Sequence, residues 1–125
     1  MKLVDKRKKE TKKTKVKAAN VQLTTEQIIK KIANIKTNYE AEGFIVLGIF
    51  GSYARGEATV DSDLDILFET NNTFLNKYKG WEIFGKIEAI REELESKMGI
   101  KIDLIDRAGI DEIGKKYILP EVLYV

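Results

Sequence analysis

The sequence contains no cysteine and no histidine. The first absence excludes disulfides, thiolate nucleophiles and sulfur-ligated metals. The second excludes serine–histidine triads, histidine general bases and nearly all zinc sites. No apolar run is long enough to span a bilayer, so no membrane partner is expected. The lysine-rich start has no apolar segment behind it and does not read as a signal peptide, which makes the cytoplasm the expected location.

What the chain has in quantity is charge. Of 125 residues, 34% are charged and 43% hydrophobic, the balance of one soluble globular domain. The net charge of +2 hides an asymmetry. Residues 1–20 carry nine Lys/Arg against two acids, or +7, and residues 21–125 carry thirteen against eighteen, or −5. The first segment is too poor in apolar residues to order itself alone. It is expected to be a flexible basic tail ahead of a domain over 21–125. Such a tail favours weak, salt-sensitive nucleic-acid contact, but it has no aromatic residue for stacking on bases.

From Leu23 the pattern changes. Thr24 and Gln27 have capping-box spacing, and Ile28, Ile32, Ile35 and Tyr39 recur at helical spacing, with Gly43 as a stop. This predicts a helix over about 25–41. FIVLGIF, 44–50, reads as a buried strand, and DLDILFE, 63–69, as a second. The polar turn between them is expected to hold one helical turn after Ser52. NNTFLNKYKG reads as a loop. Phe84, Ile87, Ile90, Leu94 and Met98 predict a helix over about 81–98, closed by Gly99. IKIDLID, 100–106, reads as a third strand, IDEIGKKYI as a short helix and EVLYV as a last short strand. Tyr53, Trp81 and Phe84 are expected in the core.

Strand parity then groups the acids. Asp63, Asp65 and Leu67 share one face, opposite Leu64, Ile66 and Phe68, and Asp103 shares a face with Lys101 and Ile105. The expected fold class is therefore α+β: helices cover one face of a small sheet and three carboxylates line the other. Asp63 and Asp65 lie about 7 Å apart along the strand, which suits two ligands of one metal site. With only oxygen donors, that metal is hard: magnesium, manganese or calcium.

Three arrangements compete for these residues. An EF-hand requires Gly at the position of Ile66 and Glu at that of Asn72, so it fails. A P-loop requires Lys and a hydroxyl where Glu57 and Ala58 stand after Gly51 and Gly56, so it fails too. A phosphoryl-transfer site fits. Gly51 lets a phosphate approach backbone N–H groups, Ser52 offers a hydroxyl and doubles as a helix N-cap, and the strand acids hold a cation against the same phosphates. Arg55 has two readings, a triphosphate ligand or a surface residue. Asp61 and Ser62 are expected to shape the turn before the strand. The reading that competes with a functional Asp103 is a solvent-facing strand acid paired with Lys101.

Gly51-Ser52, ten residues, then Asp63-x-Asp65 resembles the signature of the DNA polymerase β-like nucleotidyltransferase superfamily. The fuller string GSYARGEATVDSDLDILFE is similar to the minimal nucleotidyltransferase (MNT) antitoxins, partners of HEPN ribonuclease toxins. The resemblance spans roughly residues 25–124. It implies the polymerase β-like fold, a small mixed sheet backed by helices. It also implies an activity: transfer of AMP from ATP to a tyrosine of a HEPN-type toxin, with magnesium, or manganese in its place. Asp63, Asp65 and Asp103 would be the metal-binding catalytic acids, Asp103 also helping to deprotonate the acceptor hydroxyl. Gly51 and Ser52, with Arg55, would hold the triphosphate. Two other functions stay open: an antitoxin that neutralises its partner sterically, and nucleotidylation of a small molecule such as an aminoglycoside.

Overall fold

The computed structural model describes residues 22–125. The basic tail, with the nucleic-acid contact expected of it, lies outside the described residues. Helix α1 (Thr25–Glu40) starts where the capping box predicts. The Thr24 hydroxyl accepts from the Gln27 N–H at 3.1 Å, and the Gln27 side chain accepts from the Thr24 N–H at 2.8 Å. Strand β1 (Phe44–Phe50) leads through a single helical turn, α2 (Ser52–Arg55), to strand β2 (Leu64–Thr70). Then come α3 (Asn72–Lys77), α4 (Glu82–Met98), β3 (Ile102–Asp106), α5 (Glu112–Ile118) and β4 (Leu123–Tyr124).

The sheet order is β3-β2-β1-β4. β1 runs antiparallel to both β2 and β4, while β2 and β3 are parallel, joined through α3 and α4. The sheet is therefore mixed, as expected. The alternation in β2 sets its two faces. Leu64, Ile66 and Phe68 enter one apolar core with Ile28 and Ile32 of α1, Ile49 of β1, and Ile90 and Leu94 of α4. Burial of side chains this size stabilises by roughly 1.5–3 kcal/mol each. Asp63 and Asp65 face away from the helices.

Three expectations are corrected. The stretch read as a loop contains α3. The Asn71 side chain caps it, accepting from Thr73 N–H at 3.0 Å and Phe74 N–H at 3.4 Å. Phe74 anchors it, fully buried with its ring centre 5.8 Å from Phe44 and 5.0 Å from Tyr78. Trp81 and Phe84 are not in the core: they are 87% and 65% exposed and lie against each other, 5.9 Å apart. Tyr53 is buried as expected. Finally, the acid-bearing face is not wholly open. Leu67 is fully buried, yet it points away from the helix-backed core. Its register partner Gly48 lies under the C-terminal segment, where a Cβ would meet Val122 Cγ1 at 2.8 Å and Leu123 backbone at 2.9 Å.

Candidate active site

The end of β1 and the start of β2 bring the phosphate-type turn to the acids. Phe50 is the register partner of Asp65, so the chain leaves β1 beside that carboxylate. Gly51 then takes φ 77°, ψ −155°, a conformation that side-chain-bearing residues rarely adopt. A Cβ there would collide with Asp65 Oδ2. Only glycine lets the backbone turn this close to the carboxylate.

Ser52 is the first residue of α2, and the N-cap position belongs to Gly51, so the expectation of a serine cap is corrected. The turn is held by Arg55 N–H donating to Gly51 O at 3.1 Å and Glu57 N–H donating to Ser52 O at 2.9 Å. It is fixed to α1 through the Thr25 hydroxyl, which donates to the buried Tyr53's carbonyl at 2.6 Å. A second turn delivers Asp63. The Ser62 hydroxyl accepts from Thr59 N–H at 2.8 Å and Asp61 N–H donates to the Thr59 hydroxyl at 3.3 Å, so both residues shape this turn as expected. Leu64 N–H donates to Lys101 O at 2.8 Å, tying the start of β2 to β3.

Across that parallel pair Asp65 is the register partner of Asp103. Asp63, Asp65 and Asp103 thus cluster at one end of the same sheet face, with Gly51 and Ser52 on the β1 side. Among the described residues no Lys or Arg lies within ion-pair distance of the three, so the Lys101 pairing that the competing reading of Asp103 requires is not formed. The Asp65 carboxyl is raised to about 6, first by burial, then by the charges of Asp103 and Asp63, with Arg55 opposing. Among the described residues the acids do not close into a three-ligand cage by themselves. Their oxygen-only donor set and grouped negative charge fit a hard cation that takes further ligands from a phosphate.

Arg55 stands at the end of α2 between two carboxylates. Its Nε lies 3.0 Å from Glu57 Oε1 and its Nη1 3.2 Å from Glu121 Oε1. Glu121 was invisible to sequence reasoning, since it is 66 residues from Arg55 and no local pattern marks it. A groove of about 340 Å³ opens on the β3 side of the cluster, lined by Val60, Asp63, Ile100 and Lys101 among others. A larger cleft of about 420 Å³ lies between α2 and the start of α1 and is lined by none of the three acids.

Residues 34–123 match the nucleotidyltransferase domain family. The chain is 37% identical over 104 residues to protein adenylyltransferase MntA of Thermococcus cleftensis, covering 78% of this chain and 95% of that protein. It is 36% identical over 101 residues to a candidate protein adenylyltransferase of Methanocaldococcus jannaschii, covering 79% and 92%. The solved structure of a candidate minimal nucleotidyltransferase superposes with a TM-score of 0.65 at 22% identity, over 85% of this chain and all of that one, a likeness of fold. The chain therefore belongs to the nucleotidyltransferase domain family and is a nucleotidyltransferase.

Proposed function

We propose that this nucleotidyltransferase transfers AMP from ATP to a tyrosine hydroxyl of a HEPN-type toxin and so acts as an antitoxin. One observation carries the chemistry: three carboxylates, with no Lys or Arg at ion-pair distance among the described residues, cluster beside a glycine–serine turn. The relatives named as protein adenylyltransferases support AMP as the group transferred and a protein as its acceptor.

Gly51 and Ser52 receive the triphosphate through backbone N–H groups and the serine hydroxyl, with Arg55 free to exchange its carboxylates for phosphate oxygens. The acceptor enters from the β3 side, along the groove next to Asp63. Its hydroxyl oxygen attacks the α-phosphorus, the bond from that phosphorus to the bridging oxygen breaks, and pyrophosphate leaves. Asp103, on the acceptor's side of the cluster, takes the hydroxyl proton. Asp63, Asp65 and Asp103 would hold divalent cations, magnesium or manganese, which neutralise charge developing on the phosphates.

The test is mass spectrometry of a HEPN toxin purified after co-expression with this chain. The expected result is AMP on a tyrosine and a toxin that stays inactive once separated. An unmodified toxin that regains activity on separation would refute AMP transfer to the toxin and favour steric neutralisation.

A further inference from the structure

We infer that Glu57 and Glu121 form a clasp that holds Arg55 off the carboxylate cluster. The clasp keeps Asp63, Asp65 and Asp103 open to a divalent cation until a triphosphate draws the arginine across. This rests on the reading of those acids as cation ligands.

The need follows from charge. Three carboxylates without an ion-paired partner among the described residues sit beside the turn that carries Arg55: Arg55 N–H donates to Gly51 O at 3.1 Å, and a Cβ on Gly51 would collide with Asp65 Oδ2. A guanidinium free to move would settle on them, because a bidentate charge-assisted pair with a carboxylate is among the stronger polar contacts available. It would then compete directly with the cation. In the structure Arg55 is instead engaged on two sides, by Glu57 at its Nε and by Glu121 at its Nη1.

Both carboxylates come from anchored backbone. Glu57 N–H donates to Ser52 O at 2.9 Å, at the close of α2. Glu121 ends a 3-10 turn, Leu119–Glu121, that contains Pro120. The segment after it is fastened to β1: Leu123 and Tyr124 pair with Ile49 and Gly48, Val125 N–H donates to Leu47 O at 3.0 Å, and Val122 is buried over Gly48. The C-terminal segment therefore has a function beyond covering Leu67, since it presents Glu121 to the phosphate turn. The pairs are also weak enough to exchange. Arg55, Glu57 and Glu121 are each more than 40% exposed, and ion pairs of that kind contribute little individually. A triphosphate carries more charge than either glutamate and can take the arginine over.

The experiment is a Mn²⁺ titration of the nucleotide-free protein at low salt, following free Mn²⁺ by electron paramagnetic resonance. The Glu57→Gln/Glu121→Gln variant is expected to bind Mn²⁺ about two- to fivefold more weakly than wild type, the span that release of one surface arginine supplies. In an Arg55→Ala background the same two substitutions should change nothing. Unchanged affinity in the double variant would overturn the clasp. So would an equal loss in the Arg55→Ala background, because the glutamates would then act on the ion through their own charge. A wild-type protein that takes up no Mn²⁺ would overturn the metal reading itself, and the clasp with it.

Discussion

Asp65 and Asp103 are register partners on adjacent parallel strands, two carboxylates side by side with no Lys or Arg in ion-pair reach among the described residues. Neighbouring strands run about 4.8 Å apart, so the pair repels wherever both are ionised. The fold tolerates this because strand pairing and the core on the far face hold the backbone in place.

Removing one charge should therefore stabilise the metal-free protein while destroying its activity. Asp65→Asn is expected to raise the melting temperature at pH 7 to 8, by about 1 kcal/mol of stability, and to lower AMP transfer by at least about a hundredfold. Asp63→Asn should behave alike in transfer, with a smaller gain in stability because Asp63 is the more exposed. Calorimetry and a labelled-ATP transfer assay check the two halves separately. Near-wild-type transfer by both variants would remove these residues from the site.

The raised Asp65 carboxyl gives a pH signature of defined sign. Its value of about 6 lies above the ordinary 3.8, so between about pH 4 and 6 the folded chain binds a proton that the unfolded chain does not. The contribution of this group to stability is then greatest at the acid end and is lost as pH rises through that window. The full shift corresponds to about 3 kcal/mol, which solvent screening at a partly exposed group reduces to about 1–2 kcal/mol. The difference between wild type and Asp65→Asn isolates it. Mn²⁺ affinity runs the other way, falling by up to about tenfold per pH unit below 6 as the ion competes with the proton. A Mn²⁺ affinity flat from pH 5 to 8 would mean that Asp65 is not a ligand.

Asp103 is expected to separate chemistry from binding. If it takes the acceptor proton, Asp103→Asn should lower turnover by about a hundredfold or more while weakening ATP binding in the presence of magnesium only slightly. Single-turnover transfer and equilibrium binding measure the two terms. A fall in affinity large enough to explain the whole rate loss would reduce Asp103 to a ligand.

The parts legible in the sequence are those with a local physical signal. The Thr24–Gln27 capping box marks the start of α1, and alternation in 63–68 sorts the acids from the core residues of β2. Helix α3 was not legible. Six residues are too few for a periodic pattern, and the helix depends on the Asn71 cap and on Phe74 meeting Phe44 across the core. Trp81 and Phe84 misled because Phe84 stands at helical spacing from Ile87. The buried row of α4 runs instead through the partly buried Ile83 and Ile87 to Ile90, Leu94 and Met98, which turns Phe84 outward. The cover over Leu67 and the Arg55–Glu121 contact both arise when the C-terminal segment returns to β1, an event with no local signature.

Gly51 offers the sharpest test of how closely the turn and the acids are fitted. Two effects coincide there. The backbone sits at φ 77°, ψ −155°, where a side chain costs about 1–3 kcal/mol. The space a Cβ would fill is already held by Asp65 Oδ2, with Asp65 Cγ at 3.3 Å. Gly51→Ala should therefore lower stability and also push the Asp65 carboxylate out of register with Asp103. Gly56→Ala is the control, since Gly56 has a similar φ of 73° but nothing within 4 Å of its missing Cβ. That variant should lose about 1 kcal/mol of stability through the backbone alone and keep Mn²⁺ affinity. Gly51→Ala should lose stability, at least about tenfold in Mn²⁺ affinity, and most of its AMP transfer. Equal Mn²⁺ affinities for the two alanine variants would mean that the turn does not position Asp65, and that the requirement for glycine is one of backbone conformation only.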